Sequence, residues 1–126
     1  MNEIVLTVLP DELAVCRLEP TSAVPAWLFE LSFFSLTRTA EEISIVLPAV
    51  RALPGWRSEA GWRALKVSGP LDFSLTGILA GLSGALAADG ISLFALSTYD
   101  TDYLLVRSAD LEASVHSLRR RGYMIL

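Results

Sequence analysis

The sequence has little of the chemistry that most catalytic and metal sites need. It contains a single cysteine, Cys16, and a single histidine, His116, among 126 residues. One cysteine cannot form an intrachain disulfide, and no Cys/His cluster has the spacing of a zinc site. Neither a phosphate-binding loop nor a serine nucleophile elbow is found, because Gly77, Gly81 and Gly84 fall within a predicted helix. We therefore predict no catalytic residue, no metal and no cofactor.

Basic charge is also scarce. Ten Lys and Arg residues face 14 Asp and Glu residues, for a net charge of −4. Because phosphate binding needs a basic surface, nucleic acid is not an expected partner. The one basic cluster, residues 119–121, precedes Gly122 at the predicted end of a helix. Cations there suit the negative end of the helix dipole, which we favour over a phosphate-binding patch.

Long apolar runs are missing as well. The apolar stretches are interrupted by Ser, Gly, Thr or Asp well before the roughly 20 residues that cross a bilayer. The first residues lack the basic region and apolar stretch of a secretory signal. We therefore expect no membrane partner and a cytoplasmic location.

Hydrophobic residues are nevertheless abundant, at 52% of the chain, and the length suits one compact domain with its own core. In the second half, strands are predicted at 62–68, 91–97, 102–107 and 123–126. Helices are predicted at 74–89, capped by Asp72 or Ser74, and at 110–121, capped by Ser108 or Asp110. Gly90 and Gly122 are placed to end these helices. The order βαββαβ is that of an α+β ferredoxin-like domain.

The first half of the chain repeats parts of this pattern. Strands are predicted at 13–18, 33–37 and 43–47, followed by a shortened helix at 49–53. Alignment of the two halves places Glu42 on Asp102. A long first helix is not expected, because Pro25 lies where it would run. We therefore predict two tandem repeats, a truncated one over 1–60 and a complete one over 61–126, whose exposed sheet face is covered by the other repeat or in a homodimer.

Glycine within the helix predicted at 74–89 is costly. Gly77, Gly81 and Gly84 each destabilise a helix interior by roughly 1 kcal/mol relative to alanine. Close approach of a neighbouring backbone or side chain would compensate. For Gly81 and Gly84 we favour a packing contact over a ligand contact, and for Gly77 the two interpretations are equal.

Polar groups concentrate in two segments of the second half, the loop at 68–74 and the turn at 97–102. Free backbone N–H groups at a helix N-terminus favour a carboxylate. In the turn, Asp100 and Asp102 could bind an ammonium group. A carboxylate and an ammonium group together describe a free amino acid. In the alternative interpretation Asp72 caps a helix, Asp100 forms a turn, and no ligand binds.

Several stretches resemble one known family. Residues 62–77 (WRALKVSGPLDFSLTG) and 96–106 (LSTYDTDYLLV) look like the signature of the bacterial ACT-domain family related to the animal cytosolic arginine sensors. Residues 37–46 (TRTAEEISIV) look like the first-repeat motif of that family, and the resemblance covers residues 13–123. It implies that ACT repeats pair side by side and hold an amino acid between them.

By similarity, the loop and the turn of the second repeat would contact this ligand. The residues involved would be Leu71, Asp72, Phe73, Thr98, Tyr99 and Asp102, with Asp100 beside them. If the truncated first repeat still completes a pocket, it would contribute Glu42, Ser44 and Ile45. The chain departs from the sensors at Leu75, where they carry an acidic residue, so the resemblance does not extend to a preference for arginine. The expected function is a non-catalytic regulatory domain with a free amino acid as its ligand, and the alternative is a structural or interaction module without a ligand.

Overall fold

The computed structural model describes residues 4–68 and 77–126. In chain order the strands are β1 (Val5–Val8), β2 (Leu13–Leu18), β3 (Ser35–Arg38), β4 (Ile43–Pro48), β5 (Arg57–Val67), β6 (Leu93–Ser97), β7 (Asp102–Arg107) and β8 (Met124–Ile125). The helices are α1 (Ile78–Ala88) and α2 (Leu111–Arg120), and short 3-10 helices span Ala26–Glu30, Ala49–Arg51 and Ser108–Asp110.

The chain forms two compact units. Unit 1 consists of Met1–Pro10 and Arg63–Leu126, and unit 2 of Asp11–Trp62, which interrupts unit 1 in the sequence. Strand β5 contributes residues to both units. The repeat boundary between residues 60 and 61 remains a prediction, because the limits of a compact unit do not identify where a sequence repeat begins.

Unit 1 has the predicted α+β ferredoxin-like order from β5 to β8, with one additional strand. Strand β7 pairs with both β5 and β6. Strand β1 pairs antiparallel with β5 and parallel with β8, so it lies between the first and last strands of the predicted βαββαβ unit. Strand β1 was not predicted, because the strands that support it, β5 and β8, are distant from it in the sequence.

Helices α1 and α2 pack onto this sheet through apolar side chains. Leu82 and Leu86 of α1 and Leu118 of α2 are fully buried in the core of unit 1. Each helix ends as its glycine predicts. Gly90, with φ of +74°, allows the amide of Ile91 to donate to the carbonyl of Leu86 at 3.0 Å, and the same pattern recurs at Gly122.

The start of α1 differs from the prediction. The helix begins at Ile78, and Gly77 precedes it with φ of +81°, a left-handed conformation outside the helix. The predicted start at residue 74 is therefore wrong, and α1 contains two glycines rather than three. The predicted caps Asp72 and Ser74 lie outside the described residues. Asp110 stands at the N-cap of α2 as predicted, but its side chain makes no capping hydrogen bond.

Unit 2 is a reduced copy of the same architecture. Strand β4 pairs antiparallel with β3 and β2, and β2 pairs antiparallel with the first part of β5. The resulting order, β3–β4–β2–β5, matches a βαββαβ unit in which the last strand lies beside the first. The 3-10 helices Ala26–Glu30 and Ala49–Arg51 occupy the two helix positions in the chain. The prediction of a short or missing first helix is confirmed, and Pro25 stands at its N-cap.

The core of unit 2 lies on one face of these strands. Alternate residues of β4 point into it, because successive side chains of a strand face opposite sides. Its buried members are Ala14, Cys16, Leu18, Leu28, Ile43, Ile45 and Leu47.

Candidate functional site

The turn between β6 and β7 is held by a compact network of hydrogen bonds. The backbone amide of Thr98 donates to the carbonyl of Thr101 at 2.8 Å. The hydroxyl of Thr98 donates to the same carbonyl at 3.2 Å and accepts from the amide of Thr101 at 3.3 Å. Thr98 and Thr101 therefore close the turn, and residues 99 and 100 form its exposed tip.

The predicted ligand contacts Tyr99, Asp100 and Asp102 lie in or beside this turn. The side chains of Tyr99 and Asp100 are exposed, whereas that of Asp102 is half-buried. Ser97 pairs with Asp102 in the strand register, and its hydroxyl donates to Oδ1 of Asp102 at 2.6 Å. Because a carboxylate accepts several hydrogen bonds, Asp102 can hold Ser97 and a further donor together.

The hydroxyl of Thr101 bonds this turn to strand β5 of unit 1. It donates to the backbone carbonyl of Val67, the last residue of β5, at 2.5 Å. The turn therefore lies at the end of the sheet where β5 finishes. The sequence alone does not determine the distance between the turn and the loop that follows β5. Leu71, Asp72 and Phe73 of that loop lie outside the described residues.

A turn of the same design joins β3 and β4 in unit 2. The amide of Thr39 donates to the carbonyl of Glu42 at 2.9 Å, and the hydroxyl of Thr39 accepts from the amide of Glu42 at 3.2 Å. Arg17 of β2 ties this turn to its neighbouring strand by donating to the carbonyl of Glu41 at 3.0 Å. Its Nε lies 3.9 Å from Oε1 of Glu42.

Comparison of the two turns corrects the alignment of the repeats by one residue. The strand pair that closes the turn is Arg38 with Ile43 in unit 2 and Ser97 with Asp102 in unit 1. Ile43 therefore corresponds to Asp102, and Glu42 corresponds to Thr101. A shift of one residue changes which face of the strand each side chain occupies.

The first-repeat candidates have different surroundings within unit 2. Glu42 lies near Arg17, and Ser44 is a half-buried strand residue. Ile45 is fully buried in the core. These three residues belong to unit 2 and the turn residues to unit 1, and their joint role in a ligand site remains a prediction.

The basic cluster at 119–121 lies at the C-terminal end of α2, the position that the sequence predicted. Arg119 donates to the carbonyl of Ile125 at 2.9 Å, while Arg120 and Arg121 lie 2.8 and 3.4 Å from the carboxylate of Asp89. Hydrogen bonds from Ser117 and Arg120 hold the pKa of Asp89 below its ordinary value. These contacts join the C-terminal ends of α1 and α2.

Other candidate chemistry is sparse in the part of the chain that the structure describes. No group of three or more His, Cys, Asp or Glu residues there could hold a metal ion. Within residues 4–68 and 77–126, no helix is long and apolar enough to cross a membrane. Cys16 is buried, and its burial raises the pKa of its thiol, although a hydrogen bond from Ser58 opposes the shift.

Two family models match successive parts of the chain. A family model described as "ACT domain" matches residues 57–120, and a second model, described as an N-terminal domain, matches residues 11–51. The human protein CASTOR3P is 38% identical over 121 residues, which cover 82% of this chain and 74% of that protein. The human protein named cytosolic arginine sensor for mTORC1 subunit 1 is 32% identical over 120 residues, which cover 89% of this chain.

The chain spans about a third of the length of the arginine-sensor subunits that it matches. Among solved structures, a protein from Agrobacterium tumefaciens superposes with a TM-score of 0.91 at 38% identity. The superposition covers 100% of this chain and 94% of that protein.

Proposed function

Because the chain belongs to the ACT-domain family, we propose that it is a non-catalytic regulatory domain that binds a free amino acid. The observation that carries this proposal is the attachment of the turn at 98–101 to the end of β5 through Thr101 and Val67. It supports a site in which the turn and the loop after β5 contact the same small molecule. The arginine-sensor relatives are cytosolic by name, and we propose a cytoplasmic location for this chain as well.

In this proposal the turn binds one end of the ligand. Asp102, with Asp100 beside it, would accept hydrogen bonds from the ligand ammonium group, and such charge-assisted bonds are stronger than neutral ones. Thr98 and Tyr99 would contact the rest of the ligand. The carboxylate would lie against the loop of Leu71, Asp72 and Phe73.

In this proposal the first repeat adds Glu42, Ser44 and Ile45. Ile45 would act through packing, since its side chain is fully buried. Binding would shift the population between conformations with different affinity for a partner or for a second copy of the chain.

The test is a thermal-shift screen of the full chain with each standard amino acid singly, followed by calorimetry on any that stabilises it. A dissociation constant equal to the ligand concentration stabilises the folded state by about 0.4 kcal/mol. For a chain of this size we expect a shift of about 1–2 °C in the melting temperature at that concentration.

Asp102→Asn tests the assigned site, because it removes the charge and keeps the size of the side chain. Glu112→Gln is the matched control, since it removes the same charge from the exposed face of α2. We expect Asp102→Asn to abolish the response and Glu112→Gln to preserve it. Absence of any response at about 10 mM ligand would refute the proposal and favour a structural module without a ligand. Sedimentation with and without the amino acid tests the proposed homodimer.

A further inference from the structure

We propose that Thr101 is the positioning residue of this site and that its buried hydroxyl holds the ligand-contacting turn in its binding geometry. This inference rests on the proposed function and extends it to a residue that need not touch the ligand. The residues before it, 97–100, are exposed, whereas Thr101 is only 5% exposed. Its burial inside an otherwise solvated turn indicates that its contacts are internal.

Thr101 connects two candidate ligand-binding residues, Thr98 and Asp102, with the sheet through both its backbone and its side chain. Its carbonyl and amide bond to Thr98, which closes the turn. Its hydroxyl bonds to the carbonyl of Val67. The next residue along the chain is Asp102, the proposed ammonium acceptor.

Val67 provides a rigid partner for this contact. Its side chain is fully buried, and it pairs with Leu6 of β1. The adjacent Ser68 is fixed to the same strand, since its amide donates to the carbonyl of Val5 at 2.8 Å. A turn attached to such a strand loses less conformational freedom when a ligand binds, and the saved entropy raises affinity.

In the corresponding turn of unit 2, no buried hydroxyl among the described residues bonds the turn to a neighbouring strand. Glu42 occupies the position of Thr101 there, and the tie to the neighbouring strand comes from Arg17. Arg17 and Glu42 have side-chain exposures of 35% and 46%, and ion pairs of this kind contribute little and weaken with salt. The two turns therefore share a backbone design but differ in how firmly each is attached to its sheet.

The experiment compares the affinity of Thr101→Val and Thr101→Ser for the amino acid that most stabilises the wild-type chain. Valine keeps the shape of threonine without the hydroxyl, and serine keeps the hydroxyl. Thr7→Val makes the same chemical change on β1 of unit 1 and serves as the control. We expect Thr101→Val to weaken binding about three- to tenfold, the effect of one hydrogen bond. Thr101→Ser and Thr7→Val should bind within about twofold of the wild type.

Amide hydrogen exchange supplies a second measurement that does not depend on how well a variant folds. In the wild-type chain, the bound amino acid should slow exchange together at the amides of Thr98, Thr101 and Ser68, because Thr101 joins the turn to β5. Equal affinity of Thr101→Val and wild type, or protection confined to the turn, would overturn the inference while leaving the proposed function intact. A wild-type chain that responds to no amino acid would overturn both.

Discussion

A methyl group at Gly81 of α1 would lie 2.9 Å from the hydroxyl of Tyr123, closer than a carbon and an oxygen pack without a shift. Gly84, one turn later in the same helix, has no atom of residues 4–68 or 77–126 within 4 Å of such a methyl group. The packing interpretation of the glycines therefore holds at Gly81 and not at Gly84.

This difference predicts opposite outcomes for two identical substitutions. Gly84→Ala should raise the free energy of unfolding by about 0.8–1 kcal/mol, the difference in helix propensity. Gly81→Ala should raise the free energy of unfolding by less than half of that amount or lower it, because Tyr123 must move. Urea unfolding measures both. Adding Tyr123→Phe to Gly81→Ala should restore most of the gain, and a Gly81→Ala variant as stable as Gly84→Ala would contradict the contact.

Asp89 should make the stability of unit 1 depend on pH in the acid range. Its pKa in the folded state lies below the ordinary value of 3.8 because of Ser117 and Arg120. A lowered pKa means that the carboxylate stabilises the fold above the unfolded pKa, and that this stabilisation is lost as the pH falls through the folded pKa. Asp89→Asn should therefore be less stable than the wild type at pH 7, and the difference should shrink below about pH 4. Denaturant unfolding across this range measures it, and a constant difference would argue against an ionised Asp89.

Cys16 should react slowly with thiol reagents in the folded chain. Its side chain is 2% exposed, and burial raises its pKa above 9.0, so little reactive thiolate exists at neutral pH. We expect alkylation by iodoacetamide at pH 8 to be slower in the native protein than in urea by about tenfold or more. Mass spectrometry measures the extent of reaction over time. Equal rates in the two states would show that this part of unit 2 opens readily.

The strands and helix ends that the sequence predicted correctly carry strong local signals. Short apolar segments identified β2, β4 and β7, and Gly90 and Gly122 identified the ends of α1 and α2. Where the local signal was weak, the prediction failed or fell short. Strand β1 was not predicted. Strand β5 begins at Arg57 and crosses the predicted repeat boundary between residues 60 and 61. Pairing with β1 and β2 supports these residues, and such partners are distant in the sequence.

The candidate site also combines features that are visible in the sequence with contacts between distant residues that are not. The polar string at 97–102 is visible in the sequence, and its turn forms as predicted. The role of Thr101 is not visible, because its hydroxyl bonds to Val67, 34 residues earlier in the chain. The alignment of Glu42 with Asp102 was wrong by one residue, because it followed similar letters in the strands rather than the hydrogen bonds that close each turn.

The sequence by itself determined the α+β class, the βαββαβ order of the second half and the reduced helices of the first. These follow from periodicity, glycine and proline, which act on the chain locally. Only the tertiary structure decided that Thr101 attaches the turn to β5, that Arg120 and Arg121 meet Asp89, and that Tyr123 covers Gly81. These contacts join residues far apart in the chain, and their geometry is set by how strands and helices pack, which local residue patterns do not encode.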